Sequence, residues 1–171
     1  MSINKRYAFL LVIVVISLVF LAFTSKVMAQ GMSGIRCNGW GVRAGLSDDP
    51  DQVYGGVHLN MGEFTKNVRL RPSIELGLGD DVTVLQMLAE VHYVFSQVRP
   101  WTPYLGGGLG LTYVNFDDDH PGDDSDTEIS LSPIVGIETG LNQGKRLFFE
   151  LKFGLGDDDP DIKIGVGMSW K

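Results

Sequence analysis

From Asn38 onward the chain alternates apolar and polar positions with a period of two, as a β-strand does when its two faces meet different surroundings. Near Asn38–Ser47, Trp40, Val42, Ala44 and Leu46 oppose Gly41, Arg43 and Gly45. Near Gln52–Gly62, Val53, Val57, Leu59 and Met61 oppose Tyr54, His58 and Asn60. Val68–Leu78 sets alternate apolar residues against Arg69, Arg71, Ser73, Glu75 and Gly77. Val82–Ser96 sets Leu85, Met87, Ala89, Val91, Tyr93 and Phe95 against Gln86, Glu90 and His92. The second half repeats the scheme. Leu105, Leu109, Leu111 and Tyr113 face away from Tyr104 and a run of glycines, and Ile129, Leu131, Val135, Ile137 and Leu141 face away from Glu128, Ser130, Ser132, Gly136 and Glu138. Leu147 to Leu155 opposes Glu150, Lys152 and Gly154, and Ile162 to Trp170 opposes Lys163, Gly165, Gly167 and Ser169. Gly, Asp and Pro separate the runs, and no helical period competes with them. The pattern predicts eight antiparallel strands, each long enough to cross a bilayer at a tilt (about 9–11 residues).

Two eight-stranded barrels fit that count. A lipocalin-like barrel turns its apolar face inward around a hydrophobic ligand, and a membrane barrel turns it outward into lipid. Residue size separates them. Leu, Ile, Phe, Trp and Met crowd the apolar faces beyond what a narrow lumen holds, whereas the opposite faces are rich in glycine. The polar faces also carry both signs: Arg43, Arg69, Arg71, Lys152 and Lys163 against Glu75, Glu90, Glu128, Glu138 and Glu150. Such a set neutralises itself inside a closed barrel, as a desolvated interior requires. The expected fold is therefore all-β, an up-and-down transmembrane barrel with its apolar face to lipid and a charged lumen. The soluble barrel is the alternative.

Charge sharpens this picture. The connections alternate between two ends, and all fifteen aspartates fall at one of them, in SDDPDQ (47–52), GDD (79–81), NFDDDHPGDDSD (115–126) and GDDDPD (156–161). None of these connections contains Lys or Arg, while Arg36, Lys66, Arg99, Lys145, Arg146 and Lys171 gather at the other end. Trp40, Phe95, Trp101 and Trp170 lie at that basic end, where an interfacial aromatic girdle is expected. An EF-hand reading of the loop from Asp117 fails, because Pro121 occupies a ligand position and strands flank the loop. Turn chemistry accounts for part of the aspartate content. The remaining expectation is an acidic rim that weakly binds Ca²⁺ or Mg²⁺, with Asp117, Asp119, Asp123, Asp157, Asp158 and Asp159 as candidate ligands.

The N-terminus carries Lys5 and Arg6, an apolar run from Ala8 to Thr24, and Val27-Met28-Ala29. It reads as an export signal spanning residues 1–29, followed by a short periplasmic segment (30–37) and the barrel domain (38–171). Removing Lys5, Arg6 and Lys26 takes the net charge from −7 to −10, which argues against a nucleic-acid partner. One cysteine, Cys37, leaves no internal disulfide.

PYLGGGLGLTY (Pro103 to Tyr113) and the closing KIGVGMSW resemble strands of the small bacterial outer-membrane barrels, the OmpA-like and OmpX-like proteins of the porin-type superfamily. In the closing strand, Lys163, Gly165, Met168 and Trp170 match that family's assembly signal, although Lys171 follows the aromatic that normally ends it. The resemblance implies recognition by the barrel assembly machinery and an outer-membrane location among lipid and lipopolysaccharide; a monomer is the default expectation. It names no activity. A hydrolase would need His beside Ser and an acid. His58, His92, Ser73 and Glu75 carry those types, but all four are expected inside a lumen that no lipid or peptide enters. The expectation is a non-enzymatic barrel without a resident cofactor, and a lipid-modifying hydrolase is the more distant alternative.

Overall fold

A computed structural model describes residues 36–49, 51–79, 82–95, 100–116, 125–155 and 160–171. The export signal, residues 30–35 and all six candidate metal ligands of the rim lie outside these.

The strands are β1 (Trp40–Asp48), β2 (Gln52–Leu59), β3 (Glu63–Thr65), β4 (Val68–Leu78), β5 (Val82–Val94), β6 (Thr102–Phe116), β7 (Ser125–Gly140), β8 (Arg146–Phe153) and β9 (Ile162–Trp170). Except for β2 and β3, each pairs antiparallel with its neighbour in sequence, and two further pairings, β1 with β9 and β2 with β4, close the ring. β1 pairs with β9 from Trp40↔Trp170 to Asp48↔Ile162, and β2 pairs with β4 from Val53↔Leu78 to His58↔Ser73. The result is an eight-stranded antiparallel barrel without a free edge in the ring. β3 stands outside the ring. It doubles back on β4 within the predicted GEFTKN connection, turned by Asn67 at a positive φ of 65°.

Two boundaries differ from the alternation. β6 and β7 run further into the acidic connection than expected, because Asn115 still pairs with Ser125. The described chain is also hydrogen-bonded before the predicted barrel start, Arg36 N donating to Met61 O at 3.0 Å.

Which way the faces point is unambiguous. Leu46, Val53, Leu109, Ile129 and Ile164 are 58–72% exposed on the outside, whereas Arg43, Glu75, Glu90, Glu150 and Lys152 are at most 3% exposed inside. A water-soluble protein has the opposite arrangement. Nor is the lumen purely polar. Tyr54, Leu88, Tyr104, Ile134 and Phe148 also point inward and are buried.

The inward rings share one device. Tyr54 faces Gly45 in the cross-strand register, His58 faces Gly41, His92 faces Gly106, Tyr104 faces Gly136 and Phe148 faces Gly167. The glycines are there for space. A Cβ on Gly136 would stand 2.2 Å from the Tyr104 ring, and one on Gly167 would stand 2.2 Å from Phe148.

Candidate functional site in the charged lumen and at the basic mouth

Period-two placement puts Arg43 on β1, Glu75 and Arg71 on β4, Glu90 on β5, Glu150 and Lys152 on β8, and Lys163 on β9 on inward faces. Closure of the ring brings them together. Arg43 Nη1 donates to Glu75 Oε1 at 3.0 Å, Glu90 Oε1 at 2.8 Å and Glu150 Oε1 at 2.7 Å, and Nη2 reaches Glu90 Oε2 at 3.2 Å. Lys152 Nζ donates to Glu75 and, at 2.6 Å, to Glu90 Oε1. Lys163 Nζ donates to Glu75 Oε2 and, at 2.8 Å, to Gln86 Oε1. Ser73 Oγ donates to Glu90 at 2.9 Å and Tyr104 Oη to Glu150 at 3.0 Å. Each of the three carboxylates thus accepts several charge-assisted bonds. That condition allows ions to be buried without a large net cost.

Below this plug, toward the basic mouth, a second and wetter set forms. Glu138 accepts from Arg69 Nη1 at 2.7 Å and lies 3.7 Å from Arg146 Nη1, while Arg69 Nε lies 3.5 Å from Glu63. Arg146 and Glu63 were not among the residues assigned to the lumen from the alternation. They occupy a strand start and the extra strand β3, which the period-two pattern did not mark. Glu128, which was assigned to it, is half-buried on β7 beside Thr112 in register and joins none of these pairs.

The groups that could compose a hydrolase triad are dispersed. His58 Nε2 meets Ser169 Oγ at 2.9 Å, but its Nδ1 has no partner. Ser73 donates to Glu90 and not to a histidine. His92 stacks on Tyr104 with centroids 4.9 Å apart, and its Nε2 lies 3.3 Å from Glu90 Oε2 without the alignment of a hydrogen bond. No carboxylate orients His58 through its Nδ1, so the His58–Ser169 pair lacks the third member of a triad. Among the described residues no group of three or more His, Cys, Asp or Glu is arranged to hold a metal ion.

The aromatic residues of the basic end sit on the outer surface. Trp40 and Trp170 are in contact across the β1–β9 seam with centroids 4.8 Å apart, Trp101 meets Phe149 at 5.8 Å, and Phe95 meets Tyr93 edge-on at 5.1 Å. Of the assembly-signal residues, Lys163 and Gly165 face inward and Met168 and Trp170 outward.

No protein-family model matches this chain, and neither does any curated protein sequence. Among solved structures it is similar to Neisserial surface protein A, with a TM-score of 0.62 and 15% identity over 78% of this chain and 94% of that one. It is also similar to the N-terminal β-barrel domain of Pseudomonas aeruginosa OprF, at 0.59 and 14% over 77% and 96%. A de novo designed transmembrane β-barrel superposes at 0.50 and 12% over 80% and 98%. At these identities the likeness is one of fold, the small eight-stranded barrel of outer membranes, and such a fold names no activity by itself.

Proposed function

We propose that this protein is a non-enzymatic barrel of the bacterial outer membrane, exported by its N-terminal signal, inserted by the barrel assembly machinery and held as a monomer among lipid and lipopolysaccharide. Its work is structural: it presents an acidic surface to the outside while sealing its own interior. The observation that carries this reading is the radial inversion, with leucine, isoleucine and valine exposed outside and a buried, ion-paired cluster of arginine, lysine and glutamate within. Lipid solvates the first and only ion pairing solvates the second. A hydrophobic ligand in the lumen would displace those pairs, which weighs against the soluble barrel. Ca²⁺ or Mg²⁺ bridging the rim aspartates to lipid phosphates is part of the proposal, since like charges at one rim repel.

Heat-modifiability tests the membrane reading. The detergent-extracted protein is expected to migrate differently on SDS gels before and after boiling, and to be absent from the soluble fraction. A soluble protein without a shift would overturn it. For the rim, millimolar calcium is expected to raise the melting temperature of the folded protein; no change in melting temperature or in loop hydrogen exchange would remove the cation.

A further inference from the structure

At the basic mouth the barrel encloses a cavity of about 240 Å³ whose lining includes Arg69, Arg71, Glu138, Arg146 and Lys171. A second of about 240 Å³ lies across the Arg69–Glu138–Arg146 bridge. The acids of this mouth are already engaged, Glu138 by Arg69 and Arg146, and Glu63 by Arg69. Arg71 differs from the other cations. Its side chain is only 6% exposed, and its one carboxylate contact among the described residues is Nη1 to Glu150 Oε2 at 3.4 Å. That is long for a charge-assisted bond, and a guanidinium offers five N–H donors. Arg43, by contrast, makes four such bonds to three glutamates. Aromatic faces hold Arg71 in place, with Phe148 at 4.6 Å and Tyr104 at 5.7 Å.

The charges of the plug do not balance. Arg43, Arg71, Lys152 and Lys163 meet Glu75, Glu90 and Glu150, four cations to three carboxylates. The under-paired member is the one that reaches the cavity. A mostly buried cation is stable only with a counter-charge, and the planar fork of a guanidinium fits an oxyanion.

We propose that the cavity at the basic mouth binds an oxyanion, a carboxylate or phosphate group, on the guanidinium of Arg71, with Lys171 at the opening adding charge. The volume suits a small free anion or the end group of a larger molecule, and the site stands whichever compartment the mouth faces.

The test is a titration of the full chain refolded in detergent micelles, with inorganic phosphate and with acetate at constant ionic strength. The Nε–Hε resonances of the arginines are followed by NMR. The Arg71 signal is expected to move and saturate. Arg71→Gln is expected to weaken binding by about tenfold or more, the loss of a hydrogen bond to a charged group. Glu138→Gln, which frees Arg69 and Arg146, is expected to tighten it, and Lys66→Gln, outside the cavity, to leave it unchanged. A dipeptide with a free carboxylate that binds more tightly than acetate would identify the occupant as a peptide end; equal binding would identify a free anion. An Arg71 signal that never moves, or an Arg71→Gln protein that binds as well as the wild type, overturns the site. Should Arg71→Gln fail to refold, the wild-type resonance and the Glu138→Gln variant decide the question.

Discussion

The chain places its two kinds of acid in two places. Glutamates Glu75, Glu90 and Glu150 are buried among cations at the barrel axis, while the described rim aspartates Asp48, Asp49, Asp51 and Asp161 are exposed to solvent. Reach explains the first choice. A carboxylate that must meet partners from several strands near the axis needs the extra methylene, and Arg43 meets glutamates from β4, β5 and β8. Turn chemistry explains the second, since a short aspartate bonds its own backbone and stops a strand. The same charge is therefore structural in one region and solvating in the other.

Substitutions can break or sharpen that contrast. The largest effect is expected from Arg43→Met, which removes the cation hydrogen-bonded to three buried carboxylates and should cost about 3–5 kcal/mol of unfolding free energy in lipid vesicles. Adding Glu90→Gln should return part of the loss, with a coupling of about 0.5–3 kcal/mol in a double-mutant cycle. Strict additivity would mean that the lumen ions do not act as a unit. Next comes Gly136→Val, which drives a side chain into Tyr104 and against the Phe149 carbonyl and is expected to cost about 1–3 kcal/mol; Tyr104→Ala in the same chain should relieve the part due to the ring. Trp40→Ala, at the outer surface, loses the contact with Trp170 and should cost about 0.5–1.5 kcal/mol beyond the lost area, read from urea midpoints. The smallest effect is expected from Asp161→Asn at the rim, within about 0.5 kcal/mol of wild type. A rim substitution as costly as Arg43→Met would erase the distinction.

Much of this was legible in the alternation, and the reason is geometric. Parity fixes which face a residue occupies, and Arg43, Arg71, Glu75, Glu90, Glu138, Glu150, Lys152 and Lys163, all on the polar parity, are buried. Parity does not fix height along the barrel. Glu128 shares the face of Glu138 but sits several residues further along β7, away from the plug. Nor could parity say which charges meet, because that depends on how far the ring is staggered when β1 closes on β9. Inward Leu88, Ile134 and Phe148 were missed because apolar residues on both faces blur a period of two. Phe148 had one available signal, a glycine at the matching position of the next strand, but only the register Phe148↔Gly167 makes the match visible.

Those ring-to-glycine seats bear on the accuracy with which the strands zip together. A slip of one residue turns every side chain to the wrong face, and lipid itself rejects it. A slip of two keeps every face correct, so the membrane is blind to it. The lumen is not. Two residues either way, Tyr104 would leave Gly136 and meet Glu138 or Ile134. Tyr54 would leave Gly45 for Arg43 or Ser47. The fidelity of assembly is thus checked from within, by residues that the surrounding bilayer never touches.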